Sequence, residues 1–239
     1  MDRLNIVSFI FLVVLFVIAP RAALRAARLL RQMQAGGQPL PRRRMVLSTM
    51  FSLSVLWALS ALNAESMGRG LFAVWHLGAR EVLIGAGGFV VLLAAIPISR
   101  WGRTPEEERR RLVYGMAPRD GQEMALFTLV AVMAGVAEEA AYRGVAVWIL
   151  APIFGSVVPA ILLSAMAFAV AHAVQGGRAM AIVFAIALVF HGIVQLTGTL
   201  VIAMVVHAAY DVVAGFAAGR RAKELLAMET PGPAAPTTG

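Results

Sequence analysis

Residues 124–150 read MALFTLVAVMAGVAEEAAYRGVAVWIL. The stretch is long enough to cross a bilayer, since a transmembrane helix needs about 20 mainly apolar residues. It nevertheless carries three charged residues, Glu138, Glu139 and Arg143. A charged residue in the middle of a span costs at least ~2.5 kcal/mol, so such residues face a protein interior and usually mark function. The stretch therefore predicts a membrane protein with a buried polar site.

The rest of the chain is also mainly apolar. Of its 239 residues, 60% are hydrophobic and 14% are charged, whereas a soluble domain carries about a quarter charged residues. We expect an all-α, polytopic transmembrane helix bundle of about seven spans, with eight as the alternative count. The spans are predicted at about 4–19, 45–64, 82–99, 123–150, 157–172, 179–196 and 200–218. The absence of cysteine excludes disulfides and a thiol nucleophile.

Basic residues are concentrated in segments 21–44, 100–111 and 220–223, each next to an apolar run. This placement is typical of cytoplasmic loops, so the net charge of +8 predicts contact with the bilayer and not with nucleic acid. Seven spans then put the N-terminus outside and the C-terminus in the cytoplasm. Arg greatly outnumbers Lys, and Ala and Gly are abundant, a composition that suggests a GC-rich bacterial genome. We therefore expect an integral protein of the inner cell membrane.

Three regions are predicted along the chain. Residues 1–122 hold the first spans and the basic loops, and a short solvated helix is expected at 106–111, with Pro105 near its start. Residues 123–219 hold the charged spans and form the functional core. Residues 220–239 begin basic and end in a Pro-, Ala- and Thr-rich tail from Thr230 onward, which we expect to be disordered.

Helical spacing assigns first roles to the charged span. Glu139 and Arg143 are four residues apart with the acid first, which favours an ion pair on one helix face. Glu138 lies about 100° away on an α-helix and is less well compensated, so it is a candidate general base or acid. Tyr142 lies four residues after Glu138, and we expect it to hydrogen-bond that carboxylate.

Two later spans supply the histidines. Phe168 lies four residues before His172 and is expected to pack on its ring. Asp211 follows His207 by four residues, so its carboxylate is expected to accept a proton from that ring and orient it. Glu138 with His172 could then activate a water, and His207 could hold the oxyanion of an attacked carbonyl.

One further pair of polar side chains lies on the sixth predicted span. His191 and Gln195 are four residues apart on one helix face. We expect an interhelical hydrogen-bond pair there.

Three motifs in order resemble those of the CPBP family, the CAAX proteases and bacteriocin-processing enzymes also called Abi. Residues 138–143 follow the EExxxR pattern, 168–172 the FxxxH pattern, and 207–211 the HxxxN or HxxxD pattern. One EExxxR would be weak, but three motifs on apolar helices are specific. Asn is common at the position of Asp211, and an ionised Asp cannot donate a hydrogen bond as Asn can.

The resemblance implies an intramembrane endopeptidase with a conical polar cavity, which cleaves near the C-terminus of a membrane-anchored protein or peptide. It implies Glu138 as the water-activating base, His172 as its partner, and His207 with residue 211 as the oxyanion site. Four residues would support this geometry: Glu139, Arg143, Tyr142 and Phe168.

Two alternatives remain beside the metal-free glutamate mechanism. Glu138, His172, His207 and Asp211 contain the two histidines and carboxylate seen at catalytic zinc, so a zinc-dependent intramembrane metalloprotease would use the same residues. A non-catalytic bacteriocin-immunity or transporter-like protein is the other alternative, although a transporter should show repeated halves and the sequence shows none.

Overall fold

The structure, a computed structural model, describes residues 5–72 and 77–228. These residues form nine helices, one 3₁₀ turn at Ala173–Gln175 and no strand, which confirms the all-α bundle. The helices are α1 (Ile6–Ala35), α2 (Arg42–Ser66), α3 (Ala79–Ile98), α4 (Pro105–Arg109), α5 (Leu112–Met116), α6 (Gly121–Phe154), α7 (Val157–Ala171), α8 (Gly177–Thr197) and α9 (Leu200–Ala227). The predicted disordered tail from Thr230 onward lies outside the described residues.

Six of these helices, α1, α2, α3, α6, α8 and α9, are long and apolar enough to cross a membrane. The fifth predicted span corresponds to α7, which is apolar but only 15 residues long. At about 1.5 Å of rise per residue it covers roughly 22 Å, less than the ~30 Å hydrocarbon core of a bilayer. The C-terminal end of α7 therefore lies inside the bundle, and this end carries His172.

The first helix is longer than predicted. We expected a span at 4–19, and after it a basic loop from Pro20 whose first part, 21–31, forms a helical stripe along the membrane surface. In the structure α1 continues without a break to Ala35. A π-helical turn at Val14–Ile18 precedes Pro20, and the proline lies in the first turn of the next α-helical segment. A missing N–H is tolerated in a first turn, so the helix continues into its basic half.

The loop between α3 and α6 folds as predicted at its start. Helix α4 begins at Pro105, and a capping box joins the Thr104 and Glu107 side chains and backbone. The buried Glu108 accepts hydrogen bonds from Arg221 on α9 and from the Tyr114 hydroxyl. These contacts tie the loop to the end of α9.

All three basic segments lie at this end of the bundle. Arg42, at the start of α2, hydrogen-bonds the carbonyls of Gly115 and Ala117 and pairs with Glu123 at 2.5 Å. The 220–223 segment is held there by the pair between Arg221 and Glu108. The charge pattern thus placed the three segments on one side correctly.

Helices α6 and α9 run antiparallel and approach closely. A Cβ on Gly135 would lie 2.7 Å from the Met204 carbonyl oxygen, and one on Gly215 would lie 2.2 Å from the Phe127 ring. Glycine is required at Gly135, because backbone atoms fill the space of a Cβ there, and a side chain at 215 would have to displace the Phe127 ring. This approach brings the glutamates in the middle of α6 against His207 on α9.

The hairpin of α6 and α7 sets the depth of two further site residues. Gly155 ends α6 with a positive φ of 63°, and the Ser156 side chain caps α7. Glu138 and His172 each lie 17 residues from Gly155. Helices in a hairpin rise at similar rates from their turn, so equal spacing places these residues at similar depth.

Candidate active site

A cavity of about 370 Å³ lies between the long helices. Its walls come from α2, α3, α6, α7, α8 and α9, and its basic end is lined by the loop between α3 and α6. The predicted site residues that line it are Glu138, Phe168, His172, His207 and Asp211. The four residues predicted to be catalytic therefore share one cavity, although they come from three helices.

Glu139 and Arg143 lie behind the cavity wall, with side chains fully buried. Their predicted ion pair is confirmed, since Arg143 Nη1 lies 3.1 Å from Glu139 Oε1. The contact is an ion pair without a well-aligned hydrogen bond, because no guanidinium N–H of Arg143 has a hydrogen-bond partner among the described residues. The guanidinium lies over the rings of Phe168 and Phe190, at 4.3 and 5.2 Å from their centroids.

The first motif does not form a regular α-helix. Glu139–Val145 is π-helical, a local widening that is frequent at functional sites. Such a turn leaves backbone carbonyls available to other partners, and the Ser164 hydroxyl on α7 donates to the Tyr142 carbonyl oxygen at 2.6 Å. This bond fixes the first motif to the helix that carries the second.

His207 is the centre of the site. Its Nδ1 donates to Glu139 Oε1 at 2.7 Å, while Nε2 lies 3.7 Å from Glu138 Oε2 and 3.6 Å from Asp211 Oδ2. The Phe190 ring stacks on the imidazole at 4.8 Å between centroids. The ring is therefore held in one orientation, with Nε2 directed toward two carboxylates that line the cavity.

The carboxylate that orients His207 is not the predicted one. Asp211 was expected to accept from this ring, but its 3.6 Å separation is too long for a hydrogen bond, and Glu139 accepts instead. The i to i+4 spacing brings Asp211 close to the ring. The approach of α6 brings Glu139 closer still, on the side of Nδ1.

His172 lies at the C-terminal end of α7, beside the cavity. Its Nδ1 hydrogen-bonds the Phe168 carbonyl oxygen at 2.8 Å, so Nδ1 carries the proton and Nε2 can accept one. The predicted packing of Phe168 on His172 is confirmed, with ring centroids 4.5 Å apart. Within the described residues, His172 has no carboxylate partner within 4 Å, so it reaches Glu138 only across the cavity.

The Tyr142 side chain does not bond Glu138 as expected. No hydrogen bond joins the two among the described residues, and the Tyr142 ring instead packs edge-on against Phe168, at 5.0 Å between centroids. Tyr142 therefore supports the second motif by packing.

Two residues of the site were missed by sequence reasoning. Phe190 contacts both His207 and Arg143, and Ser164 anchors the first motif. An apolar residue on an apolar helix carries no signal of such a role. Ser164 could have been noticed, because it is a polar residue within a hydrophobic span.

The prediction of a His191–Gln195 hydrogen-bond pair is wrong. His191 is buried, and neither ring nitrogen has a hydrogen-bond partner among the described residues. His191 lies on the face of α8 next to Phe190 and close to Arg143, whereas Gln195 is exposed.

The zinc alternative requires His, Asp or Glu ligands grouped around one ion. Within residues 5–72 and 77–228, no group of three or more His, Asp or Glu side chains is arranged to hold one metal ion. Glu138 and Asp211 flank the same nitrogen of His207, and His172 stands apart from them. The metal-free mechanism stays a prediction beside the zinc alternative.

Residues 120–213 match a protein-family model described as Rce1-like, type II CAAX prenyl endopeptidase. This segment belongs to the CAAX protease family. The match contains all eight predicted site residues and confirms the resemblance inferred from the three motifs. No curated protein and no solved structure matched the chain.

CAAX proteases are hydrolases that act on peptide bonds, and the apolar helices of this chain are long enough to embed it in a membrane. The match favours an enzyme over the immunity-factor and transporter alternatives. The boundaries predicted for the functional core, 123–219, stay a prediction.

Proposed function

We propose that this CAAX protease cleaves a peptide bond near the C-terminus of a membrane-anchored protein or peptide, with Glu138 as the base that activates water. One observation carries the proposal: Glu138 lines the cavity with its side chain 17% exposed, 3.7 Å from His207 Nε2. A water and a substrate carbonyl can reach both groups from the same cavity.

The reaction follows from these positions. Glu138 takes a proton from water as the water oxygen bonds to the carbonyl carbon. The carbonyl oxygen becomes an oxyanion, which accepts a hydrogen bond from Nε2–H of doubly protonated His207. The C–N bond then breaks, and the proton held by Glu138 passes to the departing amine. His172, with Nε2 as an acceptor, helps to orient the water.

Glu139 and Arg143 act on His207 from behind. The Glu139 carboxylate fixes the ring through Nδ1, and Arg143 offsets the buried negative charge of Glu139. Neither side chain lines the cavity, so we assign positioning roles to both.

Asp211→Asn tests whether the charge at this position is needed. Because Glu139 supplies the hydrogen bond that holds His207, we expect the variant to keep kcat/KM within about tenfold of wild type, since the loss of one weak contact is a small effect. Asp211→Leu, which removes the polar group, is the comparison. A loss above about 100-fold in Asp211→Asn would show that the reaction needs the negative charge.

We further propose that no metal ion takes part. Purified protein in lipid nanodiscs, given a farnesylated CaaX peptide, is expected to release a short C-terminal fragment, detected by mass spectrometry. Exhaustive treatment with EDTA and 1,10-phenanthroline should leave the rate within about twofold, while a zinc protease treated in parallel loses activity. Loss of activity that added Zn²⁺ restores would instead support the metalloprotease mechanism.

For localisation we propose a bacterial inner membrane, with the N-terminus outside and the C-terminus in the cytoplasm. The meeting of the three basic segments at one end of the bundle supports this orientation. The cavity is lined at that same end by the loop between α3 and α6, so substrate would arrive from the cytoplasmic side.

A further inference from the structure

The basic end of the cavity carries two guanidinium groups without an acidic partner. Arg100 and Arg111 both line the cavity, and no carboxylate lies within 4 Å of either in the part of the chain that the structure describes. The nearby acids are already engaged. Glu106 pairs with Arg109 and Arg110, and Glu108 pairs with Arg221.

Arg111 is held in a position that suits an anion. Its guanidinium lies over the Tyr114 ring at 5.3 Å, and Nη1 donates to the Ser99 carbonyl oxygen at 3.3 Å. Its buried Nε has no hydrogen-bond partner among the described residues. Burial lowers the pKa of Arg111, which means that the charged group is partly desolvated, and a bound anion would offset that cost.

Arg100 follows Ser99, whose carbonyl oxygen binds Arg111, and its own contact gives the distance to the reacting groups. Its Nη2 donates to the carbonyl oxygen of Ala217 at 3.0 Å, and Ala217 follows His207 by ten residues on α9. At about 1.5 Å per residue the separation along the helix is roughly 15 Å. An extended peptide covers that length with about four or five residues, at ~3.3 Å each.

We propose that Arg100 and Arg111 form a carboxylate-binding site for the free C-terminus of the substrate. With the carboxylate bound there, a peptide bond a few residues upstream would lie at Glu138 and His207. The guanidinium fork matches a carboxylate in geometry and binds it through charge-assisted hydrogen bonds. The inference rests on the proposed function, and it adds that the enzyme measures its cleavage position from the chain end.

An anionic lipid headgroup is the rival occupant, because basic residues at a membrane surface attract such lipids. The structure favours the peptide, since Arg100 and Arg111 line the same cavity as Glu138. A lipid phosphate would suit the outer surface, where Arg110 is 78% exposed and paired with Glu106.

The test compares binding of two probes to the full chain carrying Glu138→Gln, in nanodiscs of phosphatidylcholine alone. The probes are one fluorescein-labelled, farnesylated CaaX octapeptide with a free C-terminal carboxylate and the same peptide as its amide. We expect the acid to bind at least tenfold more tightly by fluorescence anisotropy. Adding Arg111→Gln should reduce this preference to within about twofold, and Arg100→Gln should reduce it in part.

Arg110→Gln is the matched control, since it removes the same charge from the same loop outside the cavity. It should keep the full preference for the acid. Thermal unfolding of each variant checks that the loop still folds, and amide binding at wild-type strength is a second check. Equal binding of acid and amide by the parent, or an equal loss for both peptides in Arg111→Gln, would overturn the proposal.

The binding and cleavage measurements also distinguish lipid binding at this site from a failure of the proposed function. If Arg111→Gln alters binding of both peptides only in nanodiscs that contain phosphatidylglycerol, the site binds lipid and the proposal is overturned. Cleavage of acid and amide at equal rates by wild type would support the proposed function and reject this site. Acid-selective binding without any cleavage would support this carboxylate site and reject the proposed function.

Discussion

Replacing Glu138 by Gln is expected to lower kcat by about 10³-fold, within the 10²- to 10⁴-fold range typical of a lost general base. An amide of the same shape cannot take a proton from water. KM should change little, because the side chain keeps its size in the cavity. Cleavage of the farnesylated CaaX peptide, followed by mass spectrometry under single-turnover conditions, measures the change.

The stability of Glu138→Gln separates a chemical effect from a structural one. Glu138 has its nearest basic atom 3.7 Å away and is part-exposed, so we expect the melting temperature to stay near that of wild type. Glu106→Gln, which alters an exposed carboxylate outside the cavity, is the control and should keep full activity. Retention of more than a tenth of the wild-type rate by Glu138→Gln would remove Glu138 from its proposed role.

Much of this site could be predicted from the sequence, because charged residues in apolar spans must face the interior of the helix bundle. Glu138, His172 and His207 had to meet in a shared polar space, since none can face lipid cheaply. The equal spacing of Glu138 and His172 about Gly155 was also present in the sequence. A hairpin of two helices about that glycine predicts one depth for the two residues.

The contacts across helices could not be predicted in this way. Spacing along one helix favoured Asp211 as the partner of His207 and Gln195 as the partner of His191. In the structure Glu139 bonds His207 from another helix, through an approach that depends on Gly135. The π-helical segment Glu139–Val145 also changes the faces that an α-helix would present. These contacts depend on the distances between helices, and the periodicity of the sequence does not predict those distances.

The second large effect is expected for Arg143→Met, a change that leaves Glu139 as a buried carboxylate without its cation. Breaking a buried pair by removing one partner typically costs about 3–5 kcal/mol, and both side chains here are fully buried. We expect a loss of that size in the free energy of unfolding, measured by reversible unfolding in mixed micelles. Activity should fall as well, because Glu139 positions His207.

The double variant Glu139→Gln, Arg143→Met distinguishes charge balance from packing. If Arg143 serves mainly to offset the charge of Glu139, the double variant should unfold at a higher free energy than Arg143→Met, because no uncompensated carboxylate remains. Its activity should nevertheless stay low, since the neutral amide introduced by Glu139→Gln holds His207 less firmly than a carboxylate does. Arg143→Lys keeps the charge but loses the planar contact with Phe168, so an intermediate stability is expected. If Arg143→Met were as stable and as active as wild type, Arg143 would not be needed to offset the charge of Glu139, and its positioning role would fail.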